Sequence, residues 1–196
     1  KKTPPYTEDL GGGVTHEVSI DGTEEWKLNG EYHSVDGYPA ISADGYQAWY
    51  DHGKLHRDGD QPAIVNSPST NNVQLHWYQH DQEHRDGDKP AFIRLSQGRP
   101  MVATWYQHGN RHRDGNKPAM VKYQDTVASW FIEGRRARTD GGPELIENNT
   151  GTWYRDTGPK QVIARRSLLD DDQLQRWGCQ PGDGLDGDLG VDLSLY

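Results

Sequence analysis

Residues 77–93 read WYQHDQEHRDGDKPAFI, and nearly the same string returns at residues 49–65 as WYDHGKLHRDGDQPAIV and at residues 105–121 as WYQHGNRHRDGNKPAMV. Two weaker copies frame these three: WKLNGEYHSVDGYPAIS from Trp26, and WFIEGRRARTDGGPELI from Trp130, in which Ala137 takes the place of the His. A sixth start, TWYRDTGPK from Thr152, drops the middle of the motif. The series Trp26, Trp49, Trp77, Trp105, Trp130 and Trp153 is thus matched by the series Pro39, Pro62, Pro90, Pro118 and Pro143. A fixed period with degraded end copies predicts a row of small units, each burying its apolar face against its neighbours, with the end copies as caps. Function is then to be sought on repeated surfaces.

Upstream of each Trp the apolar residues alternate, as in Val73, Leu75, Trp77 against Gln74, His76, Tyr78. Period-two alternation predicts a strand with the Trp series on one face and Tyr50, Tyr78 and Tyr106 on the other. Asn29-Gly30, His52-Gly53, His108-Gly109 and Glu133-Gly134 follow. Each supplies residues able to take positive φ in a tight turn. A second strand then carries Pro-Ala and a branched apolar residue, so one repeat reads as one β-hairpin. Trp and Pro keep one spacing in all five copies, whereas the Pro-to-Trp connection varies, with polar inserts from Ser67 to Asn72 and from Ser96 to Pro100. One edge of the sheet is therefore constant and the other variable. Stacked in sequence, the hairpins predict an all-β, elongated single-sheet antiparallel meander.

Composition agrees with that class. Only 32% of the 196 residues are apolar, with two Phe and two Met against seven Trp and ten Tyr. Aromatic rings must supply much of the buried area. The 23 Gly and 11 Pro suit short strands and turns. A net charge of 21 − 30 = −9 repels phosphate backbones and anionic lipid heads, which argues against nucleic acid and membrane as partners. The single Cys179 excludes an internal disulfide.

Aromatic-led hairpins with Asn-Gly-like turns, and a unit as short as the step from Trp26 to Trp49, resemble MORN-type repeats. The stretch DGTEEWKLNG at residues 21–30 and the later HRDGDxPAxI resemble a divergent MORN-like variant of phage, giant-virus and bacterial proteins. The resemblance covers residues 19 to 160. It implies a β-hairpin scaffold for protein contacts, with a virion as the implied setting and no activity attached. His-Arg-Asp-Gly stands where MORN repeats carry Gly-x-Gly, so the lipid and signalling roles of some MORN proteins are not carried over.

The repeated polar residues have competing readings. His-Arg-Asp at 56, 84 and 112 resembles the kinase catalytic loop, but the continuation and the Gly-rich phosphate loop are missing, and three copies of one catalytic loop make no sense. Asp58, Asp60, Asp86 and Asp88, beside His56 and His84, offer oxygen and nitrogen ligands, and calcium at these Asp-Gly turns or in the Asp-rich C-terminal stretch is one reading. Turn chemistry is the simpler account, with Asp capping its own turn and Gly at positive φ. His52, His80, His108, His56, His84 and His112 occupy two repeat positions. Protonation would align like charges and loosen the repeat, unless adjacent Asp residues pair with them. Tyr and Trp ladders suit either a core or a sugar-binding platform. No unique carboxylate pair, Gly-x-Ser-x-Gly or metal-protease pattern points to an enzyme.

At the ends, residues 1–18 read as an extended N-terminal arm and 19–163 as the repeat domain. Residues 164–178 read as a short helical cap, its helix running from Ser167 to Trp177, and 179–196 as a Gly/Asp-rich C-terminal arm. Arms flanking a rigid repeat imply protein partners, either copies of the same chain or neighbours in a capsid-like assembly. The expectation is a non-enzymatic structural or accessory protein, with a glycan-binding adhesion module as the alternative and an enzyme carried on the repeat as a weaker one. The scaffold rests on the Trp and Pro series. Contact specificity is assigned to Tyr50, Tyr78, Tyr106, His56, His84, His112 and the inserts bounded by Ser67, Asn72, Ser96 and Pro100.

Overall fold

The computed structural model describes residues 2–69, 71–124, 127–154 and 162–167. Among these residues every regular element is a strand. One fifteen-stranded sheet, antiparallel at each pairing, runs in chain order from Tyr6–Gly11 at one edge to Val162–Ser167 at the other. Four two-stranded ribbons accompany it. The fold class read from the repeat is the one observed: an antiparallel meander built from tandem hairpins.

The repeat itself is two hairpins, one nested in the other. In the third copy Asn72–His76 pairs with Phe92–Ser96, Asn72 opposite Ser96 and His76 opposite Phe92. Between these strands Tyr78–Gln79 folds back on Gln82–Glu83 as a small ribbon. Equivalent ribbons follow Trp49, Trp105 and Trp130. The turn after each Trp therefore closes the ribbon, and the outer hairpin is closed by the whole excursion through His-Arg-Asp-Gly to Pro. His52 and Gly53 show why the turn takes these residues, with φ of 46° and 75°. Two consecutive positive φ values are those of a type I′ turn, whose twist suits a two-residue hairpin.

Trp joins ribbon and sheet through its backbone. Trp77 N–H donates to Ala91 O in the outer ladder at 2.8 Å, and its carbonyl accepts from His84 N–H at 3.1 Å. The same pair of bonds recurs at Trp26, Trp49 and Trp105. Alternation then puts the indole on the buried face: Val73, Leu75 and Trp77 are at most 3% exposed, while Gln74, His76 and Tyr78 are half-buried. Three separate clusters form instead of one core, centred on Leu75 and Ile93, on Trp105 and Phe131, and on Trp130 and Ile146.

The Ala of Pro-Ala has no room to grow. Ala40, Ala63, Ala91 and Ala119 are each 0% exposed. Ala91→Leu is expected to lower unfolding free energy by about 1–3 kcal/mol through overpacking. Urea denaturation followed by circular dichroism checks this, with Gln74→Ala on the half-buried face expected to lie near zero.

Both ends differ in part from the expected arms. Tyr6–Gly11 and Val14–Val18 form a hairpin that pairs onto Glu24–Leu28, so residues 6–18 extend the sheet. The reason lies in Gly11, Gly12 and Gly13, all at positive φ, which make the tip of that hairpin. At the other end Val162–Ser167 is a strand against Thr150–Tyr154, so residues 164–167 belong to the sheet and not to a helical cap. The rest of the expected helix and the Gly/Asp-rich stretch lie outside the described residues.

Candidate functional site

The constant edge of the sheet carries the chemistry. There each Arg of the motif lies on the Trp of its own copy, with the guanidinium carbon 3.5 Å from the ring centre for Arg57 on Trp49 and 4.0 Å for Arg85 on Trp77. Arg113 and Arg138 repeat this on Trp105 and Trp130 at 3.8 and 4.1 Å. The planar, weakly hydrated guanidinium is the cation suited to such a face. Each also donates from Nη1 to the carbonyl of its own motif Pro, Pro62, Pro90, Pro118 or Pro143. Arg and Pro together lock the excursion over the indole.

The acid after Asp-Gly ties one copy to the next. Asp60 of the second copy receives Arg85 of the third through Nε at 2.6 Å and Nη2 at 3.1 Å, and Lys89 at 2.7 Å. Asp88 receives Arg113 and Lys117 in the same way. Burial pulls the Asp60 and Asp88 carboxyls upward, but the Arg and Lys contacts outweigh it and hold both below the usual carboxylate range. The fourth copy has Asn116 at this place, and Arg138 turns to Asp140 of its own loop instead. Asp60 and Asp88, two of the four carboxylates considered as calcium ligands, thus already hold cations of the chain. Indole nitrogens add a second tie: Trp49, Trp77, Trp130 and Trp153 donate to the carbonyls of Gly37, Asp60, Asn116 and Gly141 in the preceding copy.

Histidine supplies a third tie. His84 Nδ1 accepts the backbone N–H of His108 in the next copy at 3.1 Å, and Nε2 lies 3.1 Å from Asp86. His112 does the same with Glu133 N–H and Asp114. A neutral ring protonated on Nε2 fits both contacts, so a proton on Nδ1 would set a donor against the backbone donor of the next copy. His56 keeps the Asp58 contact. These three histidines each pair with the Asp two residues on.

Between successive loops the surface forms shallow grooves that recur copy by copy. The second-copy groove, about 420 Å³, is lined by Trp49, Tyr50, Asp51, His56 and Arg57, with His33 from the first copy. The third, about 310 Å³, has Tyr78, Gln79, His84 and Arg85 at the same places. The fourth, about 190 Å³, has Tyr106, Gln107, His112 and Arg113. Tyr50, Tyr78, Tyr106, His56, His84 and His112 are therefore brought together along one edge. Ser67, Asn72, Ser96 and Pro100 sit in strands beside the hairpin tips of the opposite edge. Trp49, Trp77, Trp105 and Trp130 are only 2–6% exposed and capped by Arg, which leaves a sugar no open indole face there. Sequence reading missed the Arg and Lys partners, although Arg was written beside His in every strong copy. Set against known proteins, the chain matches no family model, no curated protein and no solved structure.

Proposed function

We propose that the chain is a divergent MORN-like, non-enzymatic scaffold whose work is protein contact within a larger assembly, a virion or phage particle being the setting the repeat resemblance suggests. The observation that carries this is the recurrence of one groove with Trp, Tyr, His and Arg at the same places in successive copies. A periodic surface suits a periodic or extended partner, whereas a reaction needs one site that differs from its neighbours. Among the described residues the sheet also ends on Tyr6–Gly11, which pairs on one side only, with Val14–Val18. The open side of a six-residue edge strand is a template for another strand.

Self-association through this edge is the expected outcome. Light scattering after size exclusion should give masses above 22.2 kDa that rise with concentration. Thr7→Pro with Asp9→Pro, which removes donors from the edge strand, should return the monomer. A wild-type monomer at all concentrations, or an oligomer indifferent to the prolines, would overturn assembly through this edge.

A further inference from the structure

The junction of the first three copies gathers side chains that no other junction repeats. Two residues after the Trp stands Asp51 in the second copy, but Leu28, Gln79, Gln107 and Ile132 in the others. The Asp51 carboxylate lies between imidazoles. His52 Nδ1 is 2.6 Å and His33 Nδ1 3.5 Å from Oδ1, and His80 Nε2 from the third copy is 3.8 Å from Oδ2. One ligand atom each from His33, Asp51 and His52 lie within 4.8 Å of one another.

We propose that His33, Asp51 and His52 bind one divalent transition-metal ion of the zinc class, with water in the fourth position. Tetrahedral zinc with bonds of roughly 2.0–2.1 Å needs ligand atoms about 3.3 Å apart. The 3.5 Å separation of His33 Nδ1 from Asp51 Oδ1 is close to that edge, and the 2.6 Å contact with His52 opens when the shared proton leaves and both atoms turn to the metal. Imidazole nitrogen suits zinc, copper and nickel, whereas calcium asks for six or more oxygens, which the junction does not gather. The side chains of His52 and His80 are more than half exposed, which gives the ion a way in.

His52 is fixed in its turn at φ 46°, and its N–H donates to His33 Nδ1 at 3.2 Å. The ion takes over that lone pair and leaves the amide to water at an exposed turn. Ligands from two copies make the ion a clamp between them, independent of whether the sheet edges self-associate.

Zinc chloride titrated into tag-free protein by calorimetry tests this. One equivalent is expected to bind. Asp51→Gln, which installs the residue of the third and fourth copies, and His52→Asn, which matches Asn29 in the same turn, should each weaken it at least about 10-fold. His108→Asn, the equivalent turn of the fourth copy, should leave affinity within about 2-fold, as expected of a residue outside the ligand shell. Zinc should raise the thermal midpoint of the wild type and not of Asp51→Gln, with circular dichroism confirming the fold of each variant. Absent binding, binding indifferent to Asp51→Gln and His52→Asn, or an equal loss in His108→Asn would overturn the proposal.

Discussion

Trp77→Ala is expected to cost about 3–5 kcal/mol, the range for deleting a buried large aromatic. The side chain is 3% exposed and packs with Val73, Leu75, Ile93 and Leu95. Two further losses accompany the cavity. The indole N–H no longer donates to Asp60 O, which weakens the tie to the second copy, and the Arg85 guanidinium loses the ring beneath it. Total stability of a domain is about 5–15 kcal/mol, so the central copy would stand near the limit of folding. Urea denaturation followed by circular dichroism measures this. Trp153→Ala is the control, because that ring is half-buried in a degenerate copy. The central replacement should cost at least about twice as much, since cavity cost follows burial. Equal costs would mean that the copies do not share the load as nearest neighbours.

Much of this architecture was legible because repetition multiplies weak signals. Alternation through Val73, Leu75 and Trp77 fixed the buried face, and the His-Gly and Asn-Gly pairs fixed the turns. What escaped was nesting: a string alone does not say whether a turn closes the long hairpin or a short ribbon inside it. Pro and positive-φ Gly residues interrupt pairing, and only coordinates show that the ladder resumes at Phe92 opposite His76. The candidate site was half legible. Tyr and His were singled out by their period, but Arg85 and Asp60 lie 25 residues apart, and their pairing needs the register between copies. Asp51 escaped because it breaks the period, so a search for repeated residues passes over it.

The two edges also divide the labour. Spacing is constant where Arg, Asp and His tie one copy to the next, because an added residue there would shift every tie beyond it. At the opposite edge backbone bonds such as Gln97 N–H to Asn71 O and Tyr123 N–H to Met101 O join neighbouring hairpins, and insertions there mainly change a hairpin's length. Length variation therefore marks the side away from the Arg, Asp and His ties, and constant spacing marks the side that carries them.

Those ties also set the acid limit of the fold. Asp60→Asn at pH 7 is expected to cost about 1–3 kcal/mol. Removing one partner of a buried pair costs more than this, but the Asp60 side chain is 39% exposed and partly screened, while that of Arg85 is 1% exposed. Asn keeps one acceptor for a guanidinium that also holds Pro90 O and the Trp77 ring, which moderates the loss. The pH dependence follows from the direction of the Asp60 shift. A carboxyl held below its unfolded value, about 3.9, contributes its full stability above that pH and loses it as pH falls through the folded value. The gap between wild type and Asp60→Asn should therefore hold from pH 7 to 5 and close below about pH 4, where the wild-type carboxyl also takes a proton. Urea midpoints at pH 7, 5, 3 and 2.5 decide it. A gap that closes between pH 7 and 5 would assign the effect to the histidine row, and one that persists at the lowest pH would mean that Asn strains the loop and that the charge contributes little.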